Sequence, residues 1–148
     1  MSTYNALVIN YKFCWSESLN EDLDLLYEEN ESYAALADAI LELIEDSPKV
    51  RFELSHGRYR QLNPRFDADV WTSAHRRQLN LYRIKLWATD GELLPFRIIY
   101  AVDHRQMSPR ICFLGVMARE IDYDIDSDFG RRIQDDYDDL GVPELPRA

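Results

Sequence analysis

The chain has 148 residues, with 17 Lys and Arg against 27 Asp and Glu, a formal net charge of -10 and a pI near 4.7. Its 46% apolar and 12% aromatic content supports a hydrophobic core and excludes a disordered chain, and the length fits one domain over 1–148. No stretch approaches the roughly 20 apolar residues of a bilayer span and no apolar segment follows a basic start, so neither a membrane helix nor a secretory signal is expected. Cys14 and Cys112 lie far apart in sequence and offer neither a disulfide framework nor a Cys-rich zinc site. The expectation is a soluble, cytoplasmic domain with reduced thiols.

Tyr4 to Phe13 (YNALVINYKF) is rich in Val, Ile, Tyr and Phe and reads as a first strand. Ser18 or Asn20 then caps a helix to about Glu29, with Leu19, Leu23, Leu26 and Tyr27 at helical spacing. Ser32 is the expected cap of a second helix to about Asp46, and Pro48 is expected to end it. The short polar break between the two helices favours an antiparallel hairpin. Val50 to Asn80 has short apolar pieces among six arginines and two histidines and is expected to be partly ordered loop.

Three strands follow in quick succession. Leu81 to Trp87 (LYRIKLW) alternates, with Tyr82, Ile84 and Leu86 opposite Leu81, Arg83, Lys85 and Trp87. Thr89-Asp90-Gly91-Glu92 signals a turn. Phe96 to Val102 (FRIIYAV) and Arg110 to Val116 (RICFLGV) complete an antiparallel meander. Asp126 or Ser127 caps a last helix to about Leu140, which Gly141 and Pro143 terminate. The fold class is α+β: an N-terminal strand and two helices on one face of a small antiparallel sheet, then a C-terminal helix.

The charge is segregated. Residues 1–48 hold one base and eleven acids, residues 49–121 thirteen bases and seven acids, and residues 122–148 three bases and nine acids. Eleven of the thirteen central bases are arginine, the residue suited to planar, bidentate phosphate recognition. Acidic helices flanking a basic sheet would produce the same counts. The net acidity therefore does not exclude nucleic acid as a partner.

LYRIKLW, the turn, PFRIIYAV, a connector, RICFLGV and MAREIDY together resemble the C-terminal half of the RelE/ParE superfamily, the toxins of type II toxin–antitoxin systems. The resemblance covers residues 81–123 in motif and 4–46 in the arrangement of elements. It implies a RelE-like fold and an mRNA endoribonuclease (mRNA interferase) needing no metal or other cofactor. By position, Arg83 and Lys85 match the family's basic pair and Arg97 the arginine at the scissile phosphate. Arg119 matches the basic residue after the last strand, and Tyr123 falls near the C-terminal tyrosine. Arg83, Lys85, Arg97 and Arg105 form the implied RNA-binding set.

Cleavage by a ribose 2′-hydroxyl requires a base for its proton, donors for the pentavalent phosphate and an acid for the 5′-oxygen. Arg97 and Arg119 would supply charge stabilisation. Lys85, Glu120 or one of His56, His75 and His104 would be the base, and Tyr123 the acid or a stacking ring. The histidines share no ligand spacing. The acids at 122, 124, 126 and 128 read as turn and cap residues, because an EF-hand loop would need glycine where Phe129 stands. The implied partners are a cognate antitoxin protein and mRNA, on or off the ribosome, with no membrane. The rival expectation is a non-catalytic ParE-like toxin that binds a protein target such as DNA gyrase, or a homologue without toxicity.

Overall fold

The computed structural model describes residues 9–105 and 107–146. Strand β1 (Lys12–Trp15) leads into helices α1 (Glu17–Glu29), α2 (Glu31–Asp46) and α3 (Pro48–Leu54). Strands β2 (Tyr59–Leu62) and β3 (Arg65–Val70) and a single helical turn, α4 (Thr72–His75), precede the meander. The meander is β4 (Leu81–Trp87), β5 (Leu93–Asp103) and β6 (Arg110–Ala118), followed by a 3-10 turn (Arg119–Ile121) and α5 (Asp128–Asp139). The expected first strand is shorter and later than Tyr4 to Phe13, and its first residues lie outside the described ones.

Each long helix starts where a side-chain oxygen satisfies a free amide. Ser16 Oγ accepts from Leu19 N, Asn30 Oδ1 from Tyr33 N, Ser47 Oγ from Val50 N and Ser127 Oγ from Gly130 N. The caps expected at Ser18 or Asn20 and at Ser32 are therefore Ser16 and Asn30. Pro48 does not merely end α2. It occupies the first turn of α3, where its missing N–H has no cost.

The six strands form one sheet in the order β1-β6-β5-β4-β3-β2. All neighbours are antiparallel except β1 and β6, which run parallel, so the sheet is mixed rather than purely antiparallel. The segment 50–80, expected as loop, supplies α3, a β2–β3 hairpin turning through Asn63–Pro64, and α4. That hairpin widens the sheet beyond the meander.

Alternation along β4 places Tyr82, Ile84 and Leu86 in a core with α1, α2 and α3, where Phe66, Ile98, Tyr100 and Phe113 join them. The opposite face is covered at one end only, by Trp71, Ala74, Ile133 and Tyr137 packing on Leu81, Ile99 and Leu114. Three helices, not two, thus line the first face, and α5 closes part of the second. No helix is long and apolar enough to cross a membrane among the described residues.

Cys14 and Cys112 face each other in the parallel register and are joined by a disulfide, with 4.5 Å between their Cα atoms. This overturns the expectation of unpaired thiols. A separation of 98 residues is no obstacle once the topology brings the first and last strands together.

Beyond Trp15, β1 leaves the edge of β6 uncovered, and Asp22 of α1 seals it. Its carboxylate accepts from Val116 N at 2.8 Å and from both terminal nitrogens of Arg132 at 2.8 and 2.6 Å. The bridge passes over Gly115, where a Cβ would lie 2.5 Å from Arg132 Nη2. Asp22→Ala should leave the partly buried Arg132 and the Val116 amide without their shared acceptor and cost about 1.5–3 kcal/mol in chemical denaturation, the scale of hydrogen bonds to a charged group. Reducing the disulfide should cost about 2–4 kcal/mol, read as a lower urea midpoint with dithiol reductant than without.

Candidate nucleic-acid interface

The half of the second face that α5 does not reach is open, and the strand register writes its charges in rows. One row runs Arg60, Asp67, Lys85, Arg97 and Met117 across β2 to β6. The next carries Asp69 and Arg83 before reaching buried Ile99. Two adjoining pockets follow these rows and share Arg83 and Lys85. The first is bordered by Arg58, Arg60, Asp67, Asp69 and Trp87, and the second by Trp71, Thr72, Ser73, Arg76 and Tyr123.

Arg97 is fixed by three hydrogen bonds. Nε donates to the Tyr123 hydroxyl at 2.9 Å, and Nη1 donates to the carbonyls of Leu94 and Phe96 at 3.0 and 2.9 Å. Nη2 takes no part in these bonds. Tyr123 is itself held from behind. Its carbonyl accepts from Trp71 Nε1 at 3.1 Å and from Ser73 Oγ at 3.2 Å. Asp122 and Tyr123 both adopt left-handed backbone, with φ of 49° and 62°, a conformation costing a non-glycine residue about 1–2 kcal/mol. The Trp71 and Ser73 bonds offset that strain, and the outcome is a hydroxyl delivered to Arg97. Strain held in this way clusters at functional sites.

Lys85 stands between Arg83 and Arg97. Burial lowers the pKa of its ammonium, and the two guanidinium groups lower it further, against partial opposition from Asp67 and Asp69. Neutral amine is thus available at lower pH than for an ordinary lysine. Arg83 is mostly buried and loosely held, with Nη2 3.7 Å from Asp69 Oδ2. The face therefore offers a depressed-pKa amine, two strand-borne guanidinium groups and a fixed phenol, an arrangement suited to a phosphodiester.

The structure thus brings Arg83, Lys85, Arg97 and Tyr123 together. It places the other sequence candidates elsewhere. Arg119 and Glu120 are exposed on the 3-10 turn and border a groove between the α1–α2 hairpin and the ends of β5 and β6, with Leu26, Tyr33 and Phe96. Arg105 lies at the far end of the sheet, where it and Arg110 both pair with buried Asp103. Burial opposes ionisation of Asp103, but the hydrogen bonds from the two arginines outweigh it and hold its carboxyl below the usual range. Arg51, another of the central bases, is buried and donates to the carbonyls of Tyr11, Ile44 and Glu45.

The histidines are dispersed. His104 Nδ1 meets the Tyr11 hydroxyl at 2.8 Å, His75 packs edge-on against Tyr82, and His56 against Phe52. In the acid run, Asp124 Oδ1 accepts from Asp126 N and Asp126 pairs with Arg77. No group of three or more potential metal ligands occurs among the described residues.

Sequence reasoning missed Arg58, Arg60, Asp67, Asp69 and the Trp71–Ser73 support. The Asn-Pro pair between YRQL and RFDADV is a turn signal that would have exposed the hairpin carrying the first four. No family model, no curated protein and no solved structure matches the chain.

Holding a cation between two cations lowers stability. Lys85→Met should raise the unfolding free energy at pH 7 by about 0.5 kcal/mol, the scale of a partly exposed charge pair. Because the folded-state pKa is depressed, the wild type gains stability as pH rises from that value towards 10.5, and the difference should close there. Denaturation at pH 7 and pH 10 reads both effects.

Proposed function

We infer that the chain is a toxin of the RelE/ParE type that cleaves mRNA on the open basic face. The observation that carries the reading is the convergence of Arg83, Lys85 and Arg97, the basic positions of the LYRIKLW and FRIIYAV strands, with the Tyr123 hydroxyl on one exposed half-sheet. The order of strand, helical hairpin, meander and terminal helix supports it as well.

In this reading the neutral Lys85 amine takes the proton of the ribose 2′-hydroxyl. The 2′-oxygen attacks phosphorus, the bond from phosphorus to the 5′-oxygen breaks, and the products are a 2′,3′-cyclic phosphate and a 5′-hydroxyl end. Arg97, fixed by its three hydrogen bonds, and the more loosely held Arg83 neutralise charge on the pentavalent phosphate, so little reorganisation of Arg97 accompanies the reaction. Tyr123 accepts from Arg97 Nε, which leaves its own proton free to pass to the 5′-oxygen. Exchange with solvent returns one proton to Tyr123 and removes one from Lys85. Arg119 and Glu120 lie outside this set, on the groove beside the α1–α2 hairpin. A cognate antitoxin is the partner that this reading requires.

Asp67 and Asp69, two carboxylates within the basic face, favour a second reading in which the face binds a protein such as gyrase without catalysis. Mapping of mRNA 5′ ends after induced expression separates the two. Growth arrest with new cytoplasmic mRNA ends is expected for the wild type. Arg97→Ala and Lys85→Ala should each lower cleavage about 10²–10³-fold, while Arg119→Ala stays within a few-fold of wild type. The cleavage rate should rise with pH and level off below the range of an ordinary lysine. Growth arrest with a DNA-damage response and no mRNA ends would instead establish the second reading.

A further inference from the structure

The β2–β3 hairpin extends the basic face past the four residues to which the cleavage chemistry was assigned. Arg60 on β2 and Arg58, just before that strand, border the pocket that Lys85 also borders, and their side chains are 68% and 84% exposed. Their acidic neighbours hold them weakly. Arg58 Nε is 3.9 Å from Asp69 and Arg60 Nε 3.6 Å from Asp67, separations at which exposed ion pairs contribute little. Around that pocket Arg58, Arg60, Arg83 and Lys85 outnumber Asp67 and Asp69, so an anion gains on entry.

The same pocket has an aromatic wall. Trp87, two residues beyond Lys85 on β4, is half-buried and borders it. The Arg65 guanidinium lies 3.9 Å from the centre of the indole ring, while Arg65 itself does not border the pocket. The indole thus carries a cation over its ring and borders a cavity that guanidinium and ammonium groups also line. A planar π surface beside a row of phosphate-binding cations is the pairing that single-stranded nucleic acid requires, because every base has a face to stack and every nucleotide a phosphate to neutralise. A folded protein partner would be met instead by a broad apolar patch, whereas the exposed large apolar residues here are Leu62 at the hairpin tip, paired with Arg65, and Leu93, paired with Trp87.

Resting on the RNA reading above, we propose that the hairpin builds a second nucleotide subsite next to the cleavage site. Trp87, with Arg65 over its ring, stacks the base of a nucleotide flanking the scissile step, and Arg58 and Arg60 bind its phosphates. The subsite positions RNA and takes no part in bond breaking.

The test uses the full chain and a labelled single-stranded RNA of twelve mixed-sequence nucleotides, 2′-O-methylated throughout so that it binds without being cut. Trp87→Ala should weaken binding about tenfold or more, and Trp87→Phe, which keeps a ring, should stay near wild type. Arg58→Ala with Arg60→Ala should lower the slope of log affinity against log salt by about 1.4, from about 0.7 per phosphate lost on a single strand, whereas Trp87→Ala leaves the slope unchanged. With saturating unmodified RNA, all these variants should cleave within about twofold of wild type. If Trp87→Ala fails to fold by circular dichroism, Trp87→Leu against Trp87→Phe provides the same contrast of bulk with and without a plane. Variants that bind RNA as tightly as wild type, with or without loss of a protein partner, would overturn the subsite while the cleavage reading stands. A wild-type chain that neither binds nor cuts RNA would overturn both.

Discussion

Six strands present two faces, and this chain has helices enough to bury only one of them fully. Helices α1 to α3 cover the first face from β3 to β6, whereas the second receives a twelve-residue helix and a single turn. The uncovered part must be polar, yet its side chains still stand on strands whose neighbours are fixed by ladder hydrogen bonds. Charges placed there are positioned more tightly than charges on a loop. The register then decides which charges become neighbours, and it sets Lys85 directly beside Arg97 and next to Arg83. A fold selected for stability alone would separate those cations. Here they are kept together, and Tyr123 is held in a strained backbone to meet them.

The same partition resolves the conflict between net charge and partner. The acids are concentrated in α1, α2 and the C-terminal segment, the bases on the sheet. On the proposed reading, a polyanion meets repulsion over most of the surface and attraction at one face. The field therefore orients it instead of merely attracting it. Several of the central arginines never reach that face. Arg51 ends α2 by binding its carbonyls, and Arg105 and Arg110 neutralise a buried aspartate. Counting bases along the sequence overstates the interface.

What the sequence disclosed and what it hid divide along physical lines. α1, α2 and α5 were legible because each buries a stripe at helical spacing, and the meander because β4 alternates, β5 and β6 are short apolar runs, and the connections carry Gly or Pro. The alternation of Arg83 and Lys85 against Ile84 and Leu86 located the basic face itself. The hairpin was not legible, because β2 is the edge strand, β3 lies next to it with one face open, and the two carry Arg60, Gln61, Asp67 and Asp69 among few apolar residues. Cap positions shifted by two residues because Ser16 and Ser18, or Asn30 and Ser32, are equally good caps in isolation, and only the docking of each helix on the sheet chooses between them. The pairing of Cys14 with Cys112, and of Asp22 with Arg132, depends on which strand is the neighbour of β1, a non-local fact with no local signature.

That neighbour, β6, is the last strand among the described residues. β1 is the first strand of the described chain, yet its partner β6 follows 98 residues later, so its ladder closes a long loop for the return of a four-residue strand. By contrast, β4, β5 and β6 are joined by short turns and pair locally. Loop-closure entropy therefore favours pairing within the meander over the docking of β1. The strands that carry the charged face thus need less chain ordered to pair than the N-terminal edge does.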